Sequence, residues 1–292
     1  MTELISASPA VFIGVVFAFA LVIGSFLNVV IYRLPIMMER EWREQAAEAA
    51  ETPASELPEG RFNLILPNSR CPACGTPIKA WQNIPILSYL LIRGRCAACG
   101  TPISIRYPIV EGVTAILAAV VAWHFGFGWE ALMGVVLTLF LVPITMIDFD
   151  HCLIPDSIVY PLLWIGLGMS LYHPLSGAET LFIPPSDAII GAIAGYLSLW
   201  SVYWLFKLIT GKEGMGHGDF KLLAALGAWL GYQYIFTIVI MSAVVGAALG
   251  IALIVFKGRD HQIPMPFGPF LAMAGWLVML YPSLKTLIHA PF

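Results

Sequence analysis

Long stretches of apolar residues without charge recur along this chain and constrain its fold more than any other feature. The first runs from Val11 to Tyr32, and the first charge after it is Arg33. A helix needs about 20 apolar residues to cross a bilayer, because backbone polar groups cannot stay unpaired in hydrocarbon. The stretches therefore predict an all-α polytopic membrane protein. The candidate spans are residues 11–32, 107–125, 130–147, 157–173, 187–206, 219–231, 235–256 and 267–288.

Composition supports a membrane protein and excludes several other classes. Charged residues make up 11% of the chain and apolar residues 59%, whereas soluble domains carry about 25% charged residues. A formal net charge of -3 argues against a nucleic-acid-binding protein, which would show a basic excess. Five cysteines in 292 residues are too sparse for a disulfide-stapled secreted miniprotein.

The first apolar stretch is interpreted as a retained transmembrane helix. A signal peptide would begin with basic residues and have a shorter apolar core, but the only charge before this stretch is Glu3. The sequence Arg33-Leu34-Pro35 predicts the end of the helix.

The basic residues predict the orientation. Nine of the 15 Lys and Arg residues lie between Arg33 and Arg106, which places this segment in the cytoplasm by the positive-inside rule. The stretch 219–231 is marginal in length and is compatible with a tilted helix, a half-helix or the start of one long bent helix. If it crosses, the chain has eight spans and Lys285 is the one basic residue outside. We therefore expect about eight transmembrane helices with the N-terminus outside.

This topology predicts three regions. Residues 1–34 form the first transmembrane helix, residues 35–106 a small cytoplasmic domain, and residues 107–292 the transmembrane core. The cytoplasmic domain begins with an acidic arm, residues 35–60, which contains seven glutamates and two arginines. A charge run of this kind is typical of a solvated helix or a flexible arm.

Four cysteines of the cytoplasmic domain form an internal duplication. The sequences Cys71-Pro-Ala-Cys74-Gly-Thr-Pro-Ile and Cys96-Ala-Ala-Cys99-Gly-Thr-Pro-Ile repeat the same CxxC pattern. Four thiolates at this spacing predict a closed tetrahedral zinc site in a zinc-ribbon-like domain. We expect a positive φ at the glycine after each second cysteine. Two redox pairs are the alternative, which a reducing cytoplasm disfavours.

A few acidic residues lie within or beside the predicted spans, where charge is costly. Four of them are expected at the cytoplasmic boundary, and two carboxylates that share a proton there would supply an acid and a base. Structural interpretations remain open: Asp219 as a helix N-cap, Asp156 as a helix-opening charge, and Glu111 as a partner of Arg106 or part of a site. Asp148 and Asp150 would point to opposite sides of a helix. The acidic residues are Glu111, Asp148, Asp150, Asp156, Asp187 and Asp219.

Several motifs in one order carry a family resemblance. Gly216-x-Gly218-Asp219, the block from Asp148 to Asp156, the segment Gly24-Ser-Phe-Leu-Asn28 and the double CxxC loop occur in sequence. Together they resemble the type IV prepilin leader peptidases, which belong to the GxGD intramembrane aspartic proteases. The resemblance covers about residues 12–269.

The resemblance implies a bifunctional enzyme of the bacterial inner membrane with its active site at the cytoplasmic face. Such an enzyme cuts a basic leader from prepilins and pseudopilins after a glycine. It then methylates the new N-terminus, which begins a hydrophobic helix, with S-adenosylmethionine. By this resemblance Asp148 and Asp219 are the catalytic pair, and the cysteines belong to the cytoplasmic domain of the bifunctional enzymes. The supporting residues are Asp150, Asp156, Gly216, Gly218 and Lys221.

The residues that bind S-adenosylmethionine are unassigned, because the chain has no glycine-rich nucleotide loop. The acidic arm is a hypothetical steering surface for the basic leader. Alternatives are a transporter or channel with proton-coupling or cation-coupling aspartates, a thiol–quinone redox protein, and a peptidase without methyltransferase activity.

Overall fold

The described part of the chain is mostly helical. The computed structural model describes residues 8–49, 62–173, 181–212, 214–257 and 266–284, and within these ranges it contains nine α-helices and no β-strand. Two short 3-10 turns, Ala80–Asn83 and Tyr232–Tyr234, complete the regular structure. The helices are α1 (Pro9–Ala49), α2 (Leu87–Leu91), α3 (Arg106–Phe125), α4 (Trp129–His151), α5 (Asp156–Ser170), α6 (Pro185–Thr210), α7 (His217–Leu230), α8 (Ile235–Lys257) and α9 (Gly268–Leu280).

The prediction of an all-helical, multi-pass membrane protein is confirmed. Each predicted span overlaps one helix. Five helices are long and apolar enough to cross a membrane: α1, α3, α4, α6 and a segment that covers most of α8. The other three, α5, α7 and α9, have 15, 14 and 13 residues. At 1.5 Å per residue, α7 is about 21 Å long, against a hydrocarbon core of about 30 Å. That all eight helices cross remains a prediction.

The predicted end of the first helix at Arg33-Leu34-Pro35 is wrong. Helix α1 continues through Pro35 for a total of 41 residues, so the expected boundary at residue 34 is not a helix end. A proline removes one backbone hydrogen bond, and packed neighbours can compensate for it. Here Pro35 is buried, and the adjacent Arg33 donates to the carbonyl oxygens of Asn63 and Pro67 at 2.9 and 2.7 Å. The segment after the acidic arm is thereby bound to α1.

The acidic arm is helical in its first part. Residues 35–49 continue α1, and their glutamates are exposed to solvent. Glu39 and Arg43 form an ion pair one turn apart. The solvated-helix interpretation therefore holds for this part, and residues 50–60 lie outside the described residues.

The chain divides into two compact units, Met1–Val120 and Val121–Phe292. In the first unit, α1 packs against the beginning of α3. Asn28 is buried on α1, and its amide nitrogen donates to the carbonyl oxygen of Tyr107 at 3.1 Å. This contact joins the two helices that flank the cysteine segment.

The centre of the second unit is α7. Apart from Lys221, every residue from Asp219 to Leu230 is buried. The indole nitrogen of Trp229 donates to the Leu162 carbonyl of α5 at 2.7 Å. Helix α6 also packs against α7. Its Gly191 lies so close to Gly227 of α7 that a Cβ added to Gly191 would overlap the backbone of Gly227. Small residues at helix crossings allow this approach. Helix α7 is therefore covered by protein.

Helices α7 and α8 are separate. Gly231 ends α7 with a φ of +92°, a conformation that favours glycine, and the turn Tyr232–Tyr234 follows. The interpretation of 219–231 as the start of one long bent helix is therefore wrong.

Candidate active site

Helix α4 brings one acidic side chain into the interior. Asp148 lies in its last turn and is 4% exposed, whereas Asp150 is exposed. Two residues apart on a helix, the side chains diverge as the sequence predicts. Burial therefore distinguishes the two aspartates and favours Asp148 as the functional one.

The carboxylate of Asp148 is held by the beginning of α9. Its Oδ2 accepts a hydrogen bond from the backbone N–H of Gly268 at 2.9 Å. A Cβ at position 268 would lie 2.6 Å from this oxygen and 2.8 Å from Cδ1 of Ile154. Only a glycine therefore leaves both neighbours in place.

A second buried carboxylate comes from the first turn of α7. Asp219 is 6% exposed and is the third residue of the helix, whose N-cap is Gly216. The N-cap interpretation of Asp219 is therefore wrong. Within the described ranges, its Oδ1 is buried without a hydrogen-bond partner. A buried oxygen of this kind is costly and is expected where water or substrate binds.

Ile154 packs beside two glycines, Gly218 and Gly268, that adjoin the two carboxylates. A Cβ on Gly218, which precedes Asp219, would lie 2.7 Å from the Ile154 side chain, and the same side chain touches Gly268 beside Asp148. The carboxylates of Asp148 and Asp219 lie close enough to interact electrostatically. The structure thus brings two residues 71 positions apart in the sequence into one buried site.

Gly268 and Ile154 belong to this site but were not among the residues predicted from the sequence. Gly268 stands between Pro266 and Pro269 at the start of an apolar run, a pattern that marks a helix start. Ile154 belongs to the aspartate block. Nothing local indicates that the two residues meet.

Lys221 and Asp156 form an ion pair beside this site. The Lys221 Nζ donates to both carboxylate oxygens of Asp156, at 2.7 and 2.8 Å. Asp156 is the first residue of α5, as the helix-opening interpretation expects. The pair links α5 to α7 near the end that carries Asp219.

The loop before α7 is open to solvent. Gly216 is exposed, and a Cβ there would be 3.7 Å from Oδ2 of Asp219. His217 is also exposed and packs on the rings of Tyr203 and Phe220. The exposed Gly216 therefore lies beside the Asp219 carboxylate.

The four cysteines form one cluster, as predicted. The Sγ atoms of Cys71, Cys74, Cys96 and Cys99 all lie within 4.8 Å of one another, and Cys71 and Cys99 are 3.8 Å apart. Tetrahedral Zn–S bonds of about 2.3 Å place sulfurs about 3.8 Å apart. The donor set and its spacing therefore fit a tetrahedral metal ion.

The duplicated sequence gives duplicated geometry. Each repeat closes with a backbone hydrogen bond to its first cysteine carbonyl, from Gly75 and from Gly100, both at 2.9 Å. These glycines have φ values of +70° and +73°, which confirms the predicted positive φ. A hydrogen bond with Thr101 lowers the pKa of the Cys99 thiol to about 6, which favours the thiolate that binds metals.

Glu111 lies on α3 in the first unit, after the cysteine segment. It is 7% exposed, and its Oε2 accepts a hydrogen bond from the backbone N–H of Ile86 at 2.8 Å. The carboxylate lines a cavity, so the site interpretation of Glu111 is supported.

Comparison with known proteins identifies the family. The chain is 50% identical to a prepilin leader peptidase/N-methyltransferase of Stutzerimonas stutzeri over 99% of this chain and 98% of that protein. Proteins of the same name from Pseudomonas aeruginosa (47%, 100% of this chain and 98% of the relative) and Neisseria gonorrhoeae (46%, 88% and 86%) are also similar. The chain belongs to the type IV leader peptidase family. No solved structure matches it.

Two family models match the chain, one over the cysteine cluster and one over the aspartate pair. The type IV leader peptidase family model matches residues 135–251, a range that contains Asp148 and Asp219. The bacterial peptidase A24 N-terminal domain matches residues 18–125 and contains the four cysteines and Glu111. The resemblance seen in the motifs of the sequence is confirmed.

Proposed function

We propose that this protein removes the leader from type IV prepilins and pseudopilins and then methylates the new N-terminal amine with S-adenosylmethionine. Relatives that carry both activities in their name and align over nearly the whole chain support the proposal. The observation that carries it is the buried pair Asp148 and Asp219, with an unsatisfied oxygen on Asp219.

The two carboxylates supply an acid and a base. Because the two carboxylates are buried and interact electrostatically, they cannot both be ionised cheaply, so one holds a proton. The ionised carboxylate deprotonates a water that attacks the scissile carbonyl, and the protonated partner donates to the developing oxyanion. The roles then reverse as the amine leaves.

The supporting residues position this pair. Gly268 orients the carboxylate of Asp148 through its N–H, and Gly218 leaves space for the side chain of Ile154, which also packs beside Gly268. The pair Lys221–Asp156 anchors the Asp219 end of α7 to α5. The exposed Gly216 lies beside the Asp219 carboxylate, where we expect the substrate to approach. Asp150, which is exposed, is a supporting or structural residue that takes no direct part in the acid–base chemistry.

The proposed location is the bacterial inner membrane. With the N-terminus outside and eight crossings, nearly all Lys and Arg residues face the cytoplasm, and so does the aspartate pair. The substrate carries a basic leader and a hydrophobic N-terminal helix, so its scissile bond reaches the same edge of the bilayer. In this topology residues 1–34, 35–106 and 107–292 are the first span, the cytoplasmic domain and the protease core.

The cysteine cluster is proposed to hold a structural zinc ion. Four thiolates form a closed site that contributes folding free energy and leaves no open position for a substrate. When bound, S-adenosylmethionine supplies the methyl group. The transporter alternative is not supported, because each of the relatives described above is named as a peptidase and methyltransferase.

Replacing either buried acid tests the proposal. Asp148→Asn and Asp219→Asn should each lower leader release from a prepilin by at least about a thousandfold, because each removes one member of an acid–base pair. Asp150→Asn is the matched control, and it should cleave at nearly the wild-type rate. Full cleavage by Asp219→Asn, measured by gel shift of the prepilin, would refute the assignment.

A further inference from the structure

The first unit contains a cavity of about 490 Å³. This volume is within the range of about 300–1,000 Å³ that holds small-molecule ligands and cofactors. Its walls come from one face of α1, the two cysteine repeats, the segment 82–92 and the beginning of α3. We propose that this cavity binds S-adenosylmethionine, an inference that rests on the methyltransferase activity proposed above.

Three buried polar side chains face the cavity. Asn28 and Arg33 of α1 are each 8% exposed, and Glu111 of α3 is 7% exposed. Polar groups are rarely buried this deeply without a purpose, because each must be compensated. The buried charged groups of the cavity are therefore one cation, Arg33, and one anion, Glu111, within a largely apolar wall.

These charges complement those of the methyl donor. S-adenosylmethionine carries a carboxylate, an ammonium group and a sulfonium. The Arg33 guanidinium donates one hydrogen bond to each of the carbonyl oxygens of Asn63 and Pro67. A guanidinium has five N–H groups, so further donors remain for a carboxylate. Glu111 is fixed by the Ile86 N–H through Oε2, and a carboxylate has further acceptor capacity for an ammonium or for ribose hydroxyls.

Aromatic side chains complete the wall. Tyr32, Tyr89 and Tyr107 line the cavity. Aromatic faces attract a sulfonium by cation–π interaction and provide a stacking surface for adenine.

The missing glycine-rich loop is consistent with this ligand. Glycine-rich loops bind phosphates through backbone N–H groups and a helix N-terminus. S-adenosylmethionine has no phosphate, so the side chains of a polar cavity can bind it without such a loop.

Direct binding tests the assignment on two variants of the full-length protein. Glu111→Gln keeps an acceptor for the Ile86 N–H but removes the charge, and it should weaken binding of radiolabelled S-adenosylmethionine in equilibrium dialysis by at least about tenfold. Val29→Trp fills the cavity from α1 without a change of charge and should also weaken binding by at least about tenfold. Val22→Trp is the matched control, because Val22 is exposed on the same helix and does not line the cavity.

The outcomes separate this inference from the proposed function. Leader release by the same preparations reports whether each variant is folded. If the wild-type protein methylates a cleaved prepilin but both cavity variants bind the methyl donor with wild-type affinity, the cavity assignment is wrong and the proposed function stands. If the wild-type protein cleaves the prepilin and neither binds nor transfers the label, the methyltransferase proposal fails, and the cavity assignment fails with it.

Discussion

Gly268 offers the sharpest test of how the aspartate pair is positioned. In Gly268→Ala, the added Cβ would lie 2.6 Å from Oδ2 of Asp148 and 2.8 Å from Cδ1 of Ile154, whereas ordinary contact begins at 3.4 Å. The carboxylate and the isoleucine must therefore move by several tenths of an ångström. A misplacement of about 1 Å in a catalytic group can cost about a hundredfold in rate.

We expect Gly268→Ala to lower kcat for leader release by roughly 10- to 100-fold, which is about 1.4–2.7 kcal/mol in the activation barrier. The overpacking itself should destabilise the protein by about 1–3 kcal/mol. Rate and stability must therefore be measured together, by single-turnover cleavage of a prepilin in detergent and by thermal unfolding of the same sample.

Gly275→Ala is the matched control. It lies on the same helix, and its Cβ would meet the Leu226 side chain at 2.6 and 2.9 Å, so the crowding is similar but away from the aspartates. Gly275→Ala should lower stability to a comparable extent and leave kcat within about threefold of wild type. Equal losses of kcat in both variants would refute a specific role of Gly268 in holding Asp148.

Three further predictions concern the helix crossing, the cysteines and the acidic arm. Gly191→Ala should destabilise the protein by about 3 kcal/mol or more in denaturant unfolding, because its Cβ would meet the backbone of Gly227. Gly14→Ala is the control and should be nearly neutral, because nothing lies within 4 Å of its Cβ. Equal stabilities of the two variants would contradict the close helix crossing. Wild-type protein should contain one zinc per chain by mass spectrometry and lose it in Cys71→Ser/Cys96→Ser; stoichiometric zinc in that variant would exclude the four-cysteine site. Replacing Glu44, Glu48, Glu51 and Glu56 with glutamine should raise KM for a prepilin with a basic leader and flatten its salt dependence, whereas an unchanged salt response would leave the arm a solvated spacer.

The cysteine cluster was predictable from sequence because its determinants are local. The CxxC spacing fixes two thiolates in one turn, and Gly75 and Gly100 supply the positive φ that the turn requires. The duplication then implies two equivalent halves. Only the contact between the halves depends on the rest of the fold.

The aspartate pair was predictable in part. Helical periodicity separates Asp148 from Asp150, and the GxGD motif indicates Asp219 by resemblance. Gly268, however, lies 120 residues from Asp148, and its N–H meets that carboxylate only through tertiary packing. No local pattern carries that information.

The end of the first helix shows where local signals mislead. An arginine followed within two residues by a proline usually favours a helix stop. In this protein Arg33 is buried and bound to the carbonyls of Asn63 and Pro67. Tertiary contacts of this kind favour continuation over the propensity of Pro35.

The backbone contact between Gly191 and Gly227 also bears on how the protease takes up its substrate. Two main chains in direct contact cannot slide or rotate past each other without separating. Helix α7 is therefore fixed against α6, and the position of Asp219 is fixed with it. On the other side, Asp148 is restrained by one hydrogen bond from the backbone N–H of Gly268, and the flexible side chain of Ile154 packs beside Gly268. We therefore expect that α4 and α9 move when a pilin helix enters the site, while α6 and α7 stay in place.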